Sequence, residues 1–151
     1  MPLTAIERRA LEAIDPDGLL ATLADLIAIR SLSGEETAAQ EYIADFLQRK
    51  GLETDIWELD FDALRRHPAF STEVKRPGAL GVVGMLGENA GGRKLILNGH
   101  VDVVPAGNPA NWRYPPWQAT IVERRVYGRG ACDTKGGLAC ALHATEAIHK
   151  A

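Results

Sequence analysis

Residues 94–104 constrain the fold more than any other stretch. Leu95-Ile96-Leu97-Asn98-Gly99-His100-Val101-Asp102-Val103-Val104 begins as a near-continuous apolar run and is stopped by Pro105. A strand with one wet face alternates apolar and polar residues, whereas an unbroken apolar start suits a strand covered on both faces. The pattern predicts a strong strand from Lys94 to Val104, and helices are needed to cover it. Leu19, Leu20, Leu23, Leu26 and Ile27 give one apolar stripe over residues 16–30, and residues 5–14 are helical in character up to Pro16. Ser33-Gly34-Glu35-Glu36 matches the S-x-x-E capping box ahead of a stripe formed by Ala39, Tyr42, Ile43, Phe46 and Leu47. Gly51 after Arg49-Lys50 reads as the left-handed helix stop. Strands are expected over 53–59 and 79–86, a hairpin over 119–127, and a helix from Leu138 onward with Leu138, Ala141, Leu142, Thr145 and Ile148 on one side. Residues 60–78 read as a surface excursion with one helical turn, 87–92 as a turn cluster, 105–117 as a loop and 128–137 as a glycine-rich turn. The fold class that fits is α/β, a three-layer αβα arrangement with helices on both faces of a mixed, mostly parallel sheet.

Composition narrows the function classes. The 151 residues carry 17 Lys+Arg against 20 Asp+Glu, a net charge of −3, which gives no electrostatic case for nucleic acid. No apolar run reaches the ~20 residues that cross a bilayer. The first residues, Met1-Pro2-Leu3-Thr4-Ala5-Ile6-Glu7, lack a basic-then-apolar export pattern, so a cytoplasmic location is expected. Cys132 and Cys140 make no disulfide framework and no zinc-finger spacing, and are expected to be buried, reduced thiols.

Two segments carry candidate chemistry. In an extended strand His100 and Asp102 face the same way, ~6.5 Å apart, at the C-terminal end where open α/β sheets place ligands. A carboxylate beside a histidine fixes its tautomer and improves it as a metal ligand. The plain alternative is a satisfied histidine at a sheet edge. The second segment is Tyr127-Gly128-Arg129-Gly130-Ala131-Cys132-Asp133-Thr134-Lys135-Gly136-Gly137. Its glycines imply a sharply turning backbone in close approach to something, with Asp133 just ahead of a helix. The alternative is a simple helix cap. Phosphate-binding readings fail on spelling: no window gives G-x-x-x-x-G-K-[ST], and the sixth position of the would-be G-x-G-x-x-G is Asp133. The order Asp133-Thr134-Lys135-Gly136 also inverts that of the phosphorylated aspartate in ion-pumping ATPases. His143, Glu146 and His149 read as a solvated helix face, since they do not spell H-E-x-x-H, and His67 as a surface residue.

Together the segments G-H-x-D-x-V-P at 99–105, Trp112 with Pro115-Pro116-Trp117, and Y-G-R-G-x-x-D-x-K-G-G at 127–137 resemble the co-catalytic zinc aminoacylase and peptidase family. That family includes acetylornithine deacetylase, succinyl-diaminopimelate desuccinylase, aminoacylase and carboxypeptidase G. The resemblance implies a zinc-exopeptidase-like fold and a zinc-dependent hydrolase of N-acyl amino acids or small peptides, with cobalt or manganese as alternative metals. It implies that His100 binds one metal, that Asp133 bridges both, that Asp102 is the catalytic aspartate orienting the site beside His100, and that the Asp133–Thr134 peptide is cis. A zinc pair with a bridging water would polarise the amide carbonyl, and a glutamate would move the proton to the leaving amine.

The same resemblance implies parts that are not found here. The family's Glu-Glu pair lies beyond the bridging aspartate, whereas Glu35-Glu36 precedes it. Residues 1–151 therefore read as the N-terminal part of the catalytic domain, incomplete on its C-terminal side, with the lid or dimerisation domain and the C-terminal half absent. Such a piece is expected to be inactive alone and to bind zinc weakly, while the full-length protein is expected to be a homodimer without membrane or nucleic-acid partners. A non-catalytic remnant acting by association with another chain is the alternative, and a mononuclear metal module using His100 and Asp133 is a third. Glu123-Arg124-Arg125 stands where the family usually has Asp-Gly, so the hairpin turn is expected to differ in shape.

Overall fold

A computed structural model describes residues 2–71, 74–76, 78–87 and 91–151. Part of the expected turn cluster (88–90) and of the surface excursion (72, 73 and 77) lies outside the described residues. The order of elements is α1 (Ala5–Glu12), α2 (Pro16–Ala28), α3 (Thr37–Arg49), β1 (Glu53–Glu58), α4 (Phe61–Leu64), β2 (Leu80–Met85), β3 (Thr120–Val122), β4 (Arg125–Tyr127) and α5 (Gly136–Lys150).

The stripes of α2 and α3 are where the periodicity puts them, whereas α5 buries Ala139, Leu142, His143, Glu146 and Ala147 and leaves Ile148 of its expected stripe exposed. Leu23, Leu26 and Ile27 of α2, Ala39, Ile43, Phe46 and Leu47 of α3, and Ala139 and Leu142 of α5 form one core with Leu52 and Val101. Gly51 takes the left-handed conformation at φ +77°, and the Leu52 N–H returns to the Leu47 carbonyl at 3.1 Å, closing the end of α3. The capping box sits elsewhere than expected. Thr4 and Glu7 form one on α1, with Thr4 N–H to Glu7 Oε2 at 2.6 Å and Glu7 N–H to Thr4 Oγ1 at 3.3 Å. At α3 the cap residue is Glu36, with no side-chain cap bond. Its Oε1 instead accepts from Gly34 N–H at 2.9 Å and Arg76 Nη1 at 2.5 Å, and Ser33 donates to Asp102 Oδ2 at 3.2 Å. An ion pair and a distant carboxylate outcompete the local cap.

The described sheets are two small antiparallel pairs. β1 pairs with β2 from Glu53 opposite Met85 to Glu58 opposite Leu80, and β3 pairs with β4 in a hairpin. The architecture is mixed α/β. The strand expected over Lys94 to Val104 does not form. Only a single parallel bridge, Leu32 to Val103, ties that stretch to a neighbour. A strand exists only where another backbone pairs with it, and no described residue pairs with 94–100. Leu95 and Ile96 are left 81% and 85% exposed.

Three further expectations are corrected. The hairpin turn keeps the shape proper to a two-residue type I′ connection, because Glu123 and Arg124 both adopt positive φ, 48° and 63°. Strand twist dictates the turn, and the side chains accept the left-handed region. Cys132 and Cys140 are free and exposed rather than buried. His143 and Glu146 are buried rather than solvated, because α5 packs against α2 and α3 through that side, while His149 is exposed. His143 Nε2 lies 2.9 Å from Thr22 Oγ1, its ring centroid 5.2 Å from that of Phe46 and its Nδ1 3.6 Å from Glu146 Oε2. Glu146 Oε1 accepts from Lys50 at 2.8 Å and from Lys150 at 2.5 Å.

Arg124→Gly removes a left-handed non-glycine residue and should stabilise the fold by about 0.5–1 kcal/mol in chemical denaturation; a loss of stability would contradict the turn geometry. Burial holds the His143 pKa below 6.5 despite nearby Glu146, so the unfolded chain binds more protons just below pH 6.5 and stability falls there on acidification. Burial alone would raise the Glu146 pKa, but Lys150 and Lys50 outweigh it and hold it below 4.5, so its contribution is lost as pH drops past 4.5. Urea midpoints should show both losses, and His143→Gln should flatten the upper one.

Candidate metal centre

The glycine-rich segment folds as a wide turn, Ala131–Lys135, closed by the Lys135 N–H donating to the Gly130 carbonyl at 3.0 Å. Asp133 breaks the helical path at φ −128°, ψ 92°, and the Asp133–Thr134 peptide is cis. Gly130 enters the turn at φ +80°, and a Cβ there would lie 2.7 Å from Val103 Cγ1, so glycine lets the turn press onto the segment carrying Asp102. Gly99 likewise lets the chain before His100 pass close to Leu138 and Thr134.

These approaches bring the three sequence-predicted residues together. His100 Nε2 lies 3.1 Å from Asp133 Oδ1. On the other side of the ring, Nδ1 lies 3.1 Å from both the Asp102 carbonyl oxygen and Asp102 Oδ1. Asp102 is steadied in turn by Ser33 Oγ–H. The site is open: side-chain exposure is 49% for His100, 39% for Asp102 and 88% for Asp133. Partial desolvation works against the imidazolium, but the bonds and charges of Asp133 and Asp102 prevail and hold the His100 pKa above 6.5. An imidazole nitrogen facing a carboxylate oxygen at this separation is a donor pair of a kind that divalent metal ions take. Among the described residues no group of three or more His, Cys, Asp or Glu gathers as a complete metal shell.

Lys135 is the residue that sequence reasoning passed over. It is completely buried, and its Nζ donates to the Leu26 carbonyl at 2.6 Å and the Ile29 carbonyl at 2.8 Å. Burial pushes its ammonium down to about 8. The available signal was a lone lysine inside a glycine-rich turn, where a solvated residue needs no such backbone. Ser33 was assigned to a helix cap, and nothing in its spacing signals the bond to Asp102.

The chain is similar to several known proteins. Residues 96–151 match the family described as Peptidase family M20/M25/M40. The chain is 37% identical over 133 residues to succinyl-diaminopimelate desuccinylase of Methylobacterium radiotolerans, covering 88% of this chain and 30% of that protein. It is 34% identical over 135 residues to N-formyl-4-amino-5-aminomethyl-2-methylpyrimidine deformylase of Halalkalibacterium halodurans, covering 87% of this chain and 28% of that protein. The chain thus spans about 30% of the length of the curated relatives it matches. Human carnosine dipeptidase 1 superposes with a TM-score of 0.69 at 25% identity, covering 100% of this chain and 33% of that one. The dipeptidase Dug1p of Saccharomyces cerevisiae shares the fold, with a TM-score of 0.71 at 20% identity over 95% of this chain and 30% of its own. The match over 96–151 and these likenesses show that the chain is similar to the M20/M25/M40 peptidases, in agreement with the aminoacylase and peptidase family that its motifs resemble.

Proposed function

We propose that residues 1–151 form the N-terminal part of the catalytic domain of a zinc-dependent amide hydrolase acting on N-acyl amino acids or small peptides. The observation that carries this reading is the 3.1 Å approach of His100 Nε2 to Asp133 Oδ1, across 33 positions of sequence. His100 and Asp133 are the residues that would hold zinc, with cobalt or manganese as substitutes. Asp133 presents an exposed carboxylate whose two oxygens suit a bridging ligand. A bound zinc pair supplies an activated water and polarises an amide carbonyl.

The chain's own residues supply orientation. Asp102 accepts from His100 Nδ1–H, which leaves the Nε2 lone pair for the metal once that nitrogen loses its proton. Ser33 holds Asp102 in place. The general base and the remaining ligands come, in this reading, from sequence outside these 151 residues. Glu36, of the chain's Glu-Glu pair, is occupied by Arg76 and Gly34. The relatives' printed names, a desuccinylase and a deformylase, point to removal of a small acyl group as the reaction of the whole protein. A full-length homodimer in the cytoplasm completes this reading.

Cobalt(II) titration followed by paramagnetic NMR shifts tests the metal assignment. His100→Ala and Asp133→Asn should each raise the cobalt midpoint by about tenfold or more, and Asp62→Asn on exposed α4 should not. Equal midpoints in wild type and His100→Ala would remove the reading. The 151-residue polypeptide with zinc should show no hydrolysis of N-succinyl amino acids above the zinc blank. Appreciable turnover would refute the claim that outside ligands are required.

A further inference from the structure

The ligands proposed above come from two separate segments, and both are tied to the same short stretch of chain. Val101 and Val103, which flank Asp102, are held by Ser31: its hydroxyl donates to the Val101 carbonyl at 2.6 Å, and its own carbonyl accepts from Val103 N–H at 2.8 Å. The turn carrying Asp133 is held by Lys135, whose ammonium reaches the Leu26 and Ile29 carbonyls at 2.6 and 2.8 Å. Residues 26–31, the last turn of α2 and its exit, are therefore a common frame for His100 and Asp133. The anchor is buried at each point: Lys135 and Ser31 have no exposed surface, and Gly130 seats the turn directly on Val103.

We propose that Lys135 is a positioning residue for the metal centre: its ammonium, bound to the carbonyl end of α2, holds Asp133 within reach of His100. The inference rests on the metal reading of His100 and Asp133. A purely structural lysine would join α2 to α5 and nothing more. The molecule contains a comparison for that case, because Thr22 and His143 join the same two helices at 2.9 Å, seven positions further along α5 than its first residue.

The test compares Lys135→Met and Thr22→Val by thermal unfolding and by the cobalt(II) midpoint from paramagnetic shifts. Both variants should lower Tm. Lys135→Met should raise the cobalt midpoint about tenfold, the scale of outer supports of metal ligands, while Thr22→Val should change it less than about twofold. A wild-type midpoint in folded Lys135→Met would overturn the proposal, as would an equal weakening in Thr22→Val at comparable loss of Tm. If Lys135→Met does not fold, Lys135→Gln, which keeps a donor for these carbonyls, carries the same comparison with a smaller expected rise. Identical cobalt binding by wild type and His100→Ala would sink the metal reading itself. An intact His100→Ala effect with an unchanged Lys135 variant would sink only the role given to Lys135.

Discussion

A lysine with no exposed surface must put its ammonium on oxygen, because an unpaired buried charge costs several kcal/mol. Lys135 does so at the end of α2, where the last carbonyls of a helix lack partners inside the helix and carry its negative partial charge. One contact thereby satisfies a buried cation and two carbonyls, and fixes where α5 begins relative to α2. The wide turn before α5 has little freedom left, and Asp133 lies within it. The same exit from α2 holds Val101 and Val103 through Ser31. Two loops distant in sequence become neighbours because both are measured from one helix end.

The resulting centre gathers negative charge around one imidazole. Two carboxylates flank one imidazole, and the ring answers by retaining its proton to higher pH than an ordinary histidine. A divalent ion at Nε2 would satisfy Asp133 with more charge than one proton provides, while Asp102 continues to accept from Nδ1. Because the site is open to solvent, this arrangement alone does not enclose a substrate.

Much of this was legible from residues. Helices α2 and α3 followed their apolar stripes because burial of Leu26, Ile27, Phe46 and Leu47 in one core depends only on spacing. The approach of His100 to Asp102 was legible from their two-residue spacing, although the strand expected to carry them does not form. The convergence on Asp133 was carried by the family resemblance of the two motifs. What failed to be legible depended on partners. The apolar run at 95–97 reads as a covered strand, yet its backbone finds no neighbour among the described residues. Ser33 spells a capping box, but Asp102 competes successfully for its hydroxyl. Glu123-Arg124 looks wrong for a tight turn, and strand twist imposes the turn nonetheless. His143 and Glu146 look solvated on a helical wheel until Thr22 and Lys50 are placed opposite them.

The account stands on one cation being shared by His100 and Asp133. Anomalous diffraction at the zinc edge from a crystal of this polypeptide soaked in zinc tests that directly. The expected result is a peak ~2.0–2.2 Å from both His100 Nε2 and an Asp133 carboxylate oxygen. Zinc bound elsewhere on the molecule, with those two side chains still facing each other undisturbed, would contradict it.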